Sequence, residues 1–142
     1  MLYPLCFEPV YLTKIWGGEH LSQELGRDLA GKNQIGESWE LSGVEGQVSV
    51  VSDGPLVGKN LDDLVERYGA DLLGHRVMAV HGDRFPLLFK LLSTAQDLSL
   101  QVHPNDEQAG RMVGPGALGK TEMWVILGAE PGACLYNGFV EG

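Results

Sequence analysis

Apolar and polar residues alternate along this chain in short bursts, and the period of alternation changes several times. Residues 1–18, punctuated by Pro4 and Pro9, read as an extended entry ending at Trp16-Gly17-Gly18. Glu19 to Leu29 predicts a short helix, broken by Gly26 and closed at Gly31. From Ile35 to Val51 the period drops to two. Ser38-Trp39-Glu40-Leu41-Ser42 and Gln47-Val48-Ser49-Val50-Val51, with Gly43 and Gly46 between them, predict a hairpin. Ser52-Asp53-Gly54-Pro55 is turn chemistry.

A helical period follows. Leu61, Leu64, Val65, Tyr68, Leu72 and Leu73 share one face, Asn60 can cap the start, Asp62 and Asp63 favour the first turn, and Gly74 lies past the end. After the Gly82-Asp83 turn, Phe85 to Leu92 is apolar except for Lys90. Leu98 to Val102 reads as a strand halted by Pro104, and Asn105 to Met112 as a short helix. Glu122 to Leu127 reads as a strand, and Ala133 to Tyr136 as another after a glycine turn. Short strands with Gly-rich turns and one or two peripheral helices predict a mainly β fold, a sandwich or barrel, in one domain over 1–142.

Composition narrows the partners. With 142 residues, 44% hydrophobic and 20% charged, the chain suits a globular domain that buries roughly two-thirds of its unfolded surface. A formal net charge of -9 without any basic run argues against nucleic acid, which needs clustered Lys and Arg. A small phosphorylated ligand needs only one or two well-placed cations and stays in play. Cys6 and Cys134 form no CxxC pair and fit buried thiols in a reduced, cytoplasmic protein. Met1-Leu2-Tyr3-Pro4 lacks the features of a signal peptide, and no run of about 18 apolar residues exists to span a membrane.

Gln101-Val102-His103 is the most informative tripeptide. In a strand, residues i and i+2 project from one face, so Gln101 and His103 can reach one point, and Glu122 can bring a carboxylate from a neighbouring strand. An imidazole, a carboxylate and an amide oxygen make a mixed N/O set suited to zinc or a similar divalent ion. A lone His after a strand is more often a hydrogen-bonded structural residue than a ligand. Lys120, beside a Gly-rich loop, is solvated or functional by the same measure. Lys90 interrupts an apolar strand, so its ammonium either snorkels to the surface or meets an anion that offsets desolvation. Ser99 can donate to a phosphate oxygen, although a strand hydroxyl bonded to nearby backbone is the commoner case.

Four stretches together resemble the type I phosphomannose isomerases. They are Lys14-Ile15-Trp16-Gly17-Gly18, Ile35-Gly36-Glu37-Ser38-Trp39-Glu40-Leu41-Ser42, Leu98 through Asp106, and Gly119-Lys120-Thr121-Glu122-Met123-Trp124. The resemblance implies a cupin-like jelly roll and an isomerase interconverting mannose 6-phosphate and fructose 6-phosphate. It implies one zinc ion held by Gln101, His103 and Glu122. It places Ser99, Lys90 and Lys120 around the sugar phosphate, with Lys120 also the candidate catalytic residue. A metal near C1 and C2 would stabilise developing charge, and a remote phosphate anchor would position the reacting carbons.

The family's fourth ligand is a histidine well downstream of Glu122, and none follows before Gly142. His20, His75 and His81 sit in other contexts and are not replacements. Phe139-Val140-Glu141-Gly142 shows no helix stop or natural terminus. The expectation is therefore the N-terminal portion of a longer isomerase, its activity alone open. The alternative is a truncated, non-catalytic cupin that binds a sugar phosphate or a partner chain. Open barrel edges would invite a homodimer or a second half-chain to complete the sheet.

Overall fold

The structure, a computed structural model, describes residues 2–138. It divides into two regions, Met1–Ser99 and Leu100–Gly142, each taken by itself below.

In Met1–Ser99 the chain runs through β1 (Val10–Gly18), α1 (His20–Gln23), β2 (Ile35–Ser42), α2 (Leu61–Tyr68), α3 (Ala70–Leu73), α4 (His75–His81) and β3 (Leu88–Leu92). The three strands make an antiparallel sheet in the order β1-β2-β3. The central strand is the most buried, with Ile35, Ser38 and Ser42 fully enclosed. Gly36 makes this possible: a Cβ there would stand 2.6 Å from the Cβ of Lys14 and from Cζ3 of Trp16, so a side chain would force β1 away. The register shifts between Leu12 and Thr13 and again between Thr13 and Gly18 mark where β1 bends across β2.

The expected hairpin is only partly realised. Ser49 donates its backbone N–H to Ser42 O at 2.9 Å and accepts the Ser42 N–H on Oγ at 2.8 Å. Residues 47–51 then form isolated bridges, Val50 to Asn60 and Phe7 to Val51, rather than a strand. β1 occupies one edge of β2 as far as Trp39 and β3 the other as far as Ser42, so residues 47–51 meet β2 only at Ser42.

The expected helix from Asn60 forms, with the Asn60 side chain accepting from Asp63 N at 2.8 Å and Leu61, Leu64 and Val65 buried. It ends earlier than its apolar face does, because the backbone turns at Gly69 (φ 47°, ψ -117°), and α3 carries Leu72 and Leu73 onward. These two leucines, with Tyr3, Leu5, Phe7, Leu41, Leu61 and Phe85, line an open apolar pocket of about 270 Å³. The sequence did not signal α4, a seven-residue helix framed by Gly74 and Gly82.

In Leu100–Gly142 the described residues hold one helix, α5 (Asp106–Met112), where a helix was expected. The strands expected at Leu98–Val102, Glu122–Leu127 and Ala133–Tyr136 do not form. A strand needs a neighbour to exchange N–H and C=O bonds, and an apolar, β-branched run shows only that a segment suits a pleated surface. Among the described residues these segments have no ladder partner, and Met123, Val125 and Leu127 stay exposed. The fold is thus a three-stranded sheet with five short α-helices among the described residues, against an expectation of mainly β with one or two helices. Both cysteines are free, but exposed rather than buried. The closing residues 139–142 lie outside the described residues.

Candidate functional site

Residues 100–122 build their geometry from local polar bonds. Pro104 keeps the chain extended, and Asn105 then starts α5 with a reciprocal cap. Its side chain accepts from Gln108 N at 2.9 Å, and Gln108 Oε1 accepts from Asn105 N at 2.9 Å. The chain returns past Gly114 and Gly116 and is fastened by two bonds. Gly119 N donates to Asp106 Oδ1 at 2.7 Å, and Lys120 N donates to Pro104 O at 3.0 Å.

This fastening brings two of the expected ligands together. His103 Nε2 stands 3.0 Å from Glu122 Oε2, and both side chains are 24% exposed. Lys120 Nζ lies 3.0 Å from the other carboxylate oxygen, Oε1. Glu122 therefore lies between an imidazole and an ammonium. His103 also lines an open pocket of about 330 Å³ with Val102, Pro104, Gln108, Arg111 and Met112.

The donor set fits a divalent ion. Two ligand atoms each about 2.0–2.1 Å from a zinc ion stand roughly 3.3–3.4 Å apart at tetrahedral angles. The observed 3.0 Å is a hydrogen bond between the imidazole and the carboxylate; the two donors are of the right kind for zinc and would part by a few tenths of an ångström to share an ion. Gln101 is exposed and, because no strand forms here, the alternation argument no longer aims it at His103. Ser99 is likewise exposed and outside any strand.

Lys90 belongs to the sheet of Met1–Ser99. It pairs with Trp39 across β2 and β3, and its Nζ lies 3.6 Å from Glu37 Oε1. Lys14 Nζ approaches the same oxygen at 3.8 Å, and Trp39 Nε1 donates to Glu37 Oε2 at 2.7 Å. Of the two readings the sequence left open for Lys90, the structure favours the one in which an anion receives the ammonium, and that anion is the protein's own Glu37, only 8% exposed. Sequence reasoning did not single out this cluster. The alternation of Glu37 and Trp39 was visible, but Lys14 and Lys90 join them only through the strand register.

Among the described residues no helix is long and apolar enough to cross a membrane.

Residues 5–129 match the family model described as phosphomannose isomerase type I, catalytic domain. The chain is 40% identical over 135 residues to mannose-6-phosphate isomerase ManA of Bacillus subtilis strain 168, covering 95% of this chain and 40% of that protein. It is 38% identical over 138 residues to a mannose-6-phosphate isomerase of Streptococcus mutans, covering 97% of this chain and 41% of the relative. The crystal structure of the Bacillus subtilis mannose 6-phosphate isomerase superposes with a TM-score of 0.70 at 40% identity, over 82% of this chain and 35% of that one. The H255A mutant of Salmonella typhimurium phosphomannose isomerase superposes with a TM-score of 0.63 at 26% identity, over 75% of this chain and 26% of that one. The chain spans about 40% of the length of these curated relatives.

Proposed function

The chain belongs to the type I phosphomannose isomerase family, and from that premise we propose that it takes part in the zinc-dependent interconversion of mannose 6-phosphate and fructose 6-phosphate on a cupin scaffold. The observation that carries the reading is the juxtaposition of His103 Nε2 and Glu122 Oε2, a nitrogen and an oxygen donor hydrogen-bonded at 3.0 Å and so within reach of one ion. His103 and Glu122 are the ligand pair, with Gln101 the third donor on its motif alone. When bound, the ion supplies Lewis acidity to the substrate oxygens at C1 and C2.

The remaining roles belong to the chain's own groups. Lys120 holds its ammonium beside the Glu122 carboxylate and stays 47% exposed, within reach of a ligand. We assign it to charge stabilisation or proton movement next to the reacting carbons. Lys90 and Ser99 are assigned to the sugar phosphate, each on its own motif. Glu37 keeps Lys90 in a defined position rather than sweeping through solvent, and a placed cation is what lets remote binding energy orient a substrate.

Zinc titration against a competing chelator tests the ligand pair. His103→Ala and Glu122→Ala should each weaken binding by more than the ten- to hundredfold typical of outer-shell losses, roughly. Equal affinity in all three proteins removes the assignment. A coupled assay for fructose 6-phosphate then separates an enzyme from a binding module. Turnover lost to chelator and restored by zinc supports isomerisation, and saturable mannose 6-phosphate binding without turnover supports the module.

A further inference from the structure

Asp106 stands at the first turn of α5, yet it does not cap that helix. Asn105 already does so, and its partner Gln108 completes the reciprocal cap. The Asp106 carboxylate instead accepts from Gly119 N at 2.7 Å, thirteen residues further along the chain. Next to it, Lys120 N donates to Pro104 O. These bonds join the two stretches that carry the proposed ligands: His103 directly precedes Pro104, and Glu122 lies two residues past Lys120. A Cβ at Gly119 would stand 2.5 Å from Asn105 C and 2.6 Å from Pro104 O, so the two backbones meet with no room for a side chain. Ala109 is the one buried apolar residue of this region among the described residues. Apolar packing therefore does little to hold residues 119–122 in place, and the polar buckle has to.

We infer that Asp106 is a positioning residue for the metal site, acting through the Gly119 N–H to set the spacing of His103 and Glu122. The inference rests on the reading of those two residues as ligands. A ligand pair needs its spacing held to a few tenths of an ångström, and groups that orient ligands without touching the ion typically contribute about ten- to hundredfold to affinity. A carboxylate accepting a backbone N–H makes a bond roughly twice as strong as a neutral one. The acceptor oxygen matters more than the charge in this scheme, since an amide oxygen can occupy the same place.

The test is zinc affinity by chelator competition on the full chain, for the unaltered protein and for Asp106→Ala, Asp106→Asn, Gly119→Ala and His103→Ala. Amide hydrogen exchange runs beside it. Asp106→Ala should weaken zinc binding about ten- to hundredfold and strip exchange protection from the Gly119 amide, while amides of α2 keep theirs and show the sheet region intact. Asp106→Asn should restore most of the affinity and the Gly119 protection. Gly119→Ala should weaken binding as Asp106→Ala does. If Asp106→Ala binds zinc normally while His103→Ala does not, the positioning role is wrong and the ligand pair stands. If Asp106→Asn is as weak as Asp106→Ala, negative charge and not the bond is what matters, which also overturns the role. If His103→Ala binds zinc normally, the ligand pair itself fails and this role fails with it.

Discussion

The two regions of this chain are held together by different means. Met1–Ser99 has a sheet, a capped amphipathic helix and most of the buried apolar side chains, including Leu21, Ile35, Val51, Leu61, Leu64 and Val65. Leu100–Gly142 has, among its described residues, one seven-residue helix and a single buried alanine, with Met123, Val125 and Leu127 facing solvent. Yet the second region carries the clearest chemistry, His103, Glu122 and Lys120, and arranges it through hydrogen bonds and ion pairs. Apolar burial is non-directional and gives stability in proportion to area. A hydrogen bond adds little net stability but fixes distance and angle. A region can therefore be poor in core and still precise at one point.

The largest effect should come from cutting into the core of the first region. Leu64 is buried in α2, and Leu64→Ala should cost about 2–5 kcal/mol through lost transfer energy and a residual cavity. Val125, 70% exposed in the second region, should tolerate Val125→Ala within about 0.5 kcal/mol. Urea unfolding of both variants makes the check. Equal losses would mean that Val125 is packed in solution and that the contrast between the regions is false.

The sheet region was the more legible in the sequence, and the reason is physical. The Leu61 face and the Asn60 cap are local signals whose partners lie within the same stretch of chain, and the Ser38–Ser42 alternation finds its neighbours in β1 and β3. The strand at Glu122–Leu127 was read from equally good local signals, but a strand also requires a neighbour, which no local pattern supplies. Helix α4 was missed because no polar cap announces it: Gly74 stands where Asn60 and Asn105 open α2 and α5. In the candidate site, His103 and Glu122 lie 3.0 Å apart. The route to that closeness is not the expected one: a buckle through Asp106 and Gly119 rather than adjacent strands. The Lys14–Glu37–Lys90 cluster escaped because it exists only once three strands are in register.

Asn60 and Asn105 put the same device into both regions and sharpen the contrast. Each side chain accepts from the backbone N–H three residues on, and removing such a cap costs about 1 kcal/mol. In α2 the capped turn carries Leu61 and Leu64 into the core, so Asn60→Ala should lower the global unfolding midpoint. In α5 the capped turn has little behind it, so Asn105→Ala should speed amide exchange across 106–112 and barely move the midpoint. A matching midpoint shift in both variants would show that α5 unfolds together with the sheet.

The smallest expected effect is confined to alkaline pH and to the sheet region. Tyr11 lies in β1 opposite Ser38, and burial pushes its phenol above the ordinary 10.0, with Arg27 pulling it back and Glu40, Asp28 and Glu8 pushing it up. Below that ordinary value both folded and unfolded chains keep the proton, and the stability contributed by the neutral phenol is fully present. As the pH climbs past it, the unfolded chain ionises first and the folded chain loses stability, until Tyr11 itself ionises in the fold. The loss is small, because the group is only partly buried and solvent screens its neighbours. Tyr11→Phe removes the ionisation, so the difference in unfolding free energy between the two proteins should widen in favour of the Phe variant from about pH 9.5 upward. Parallel curves would mean that β1 leaves Tyr11 as open to water in the fold as in the unfolded chain. In that case the packing assigned to the sheet region would stop short of its edge strand.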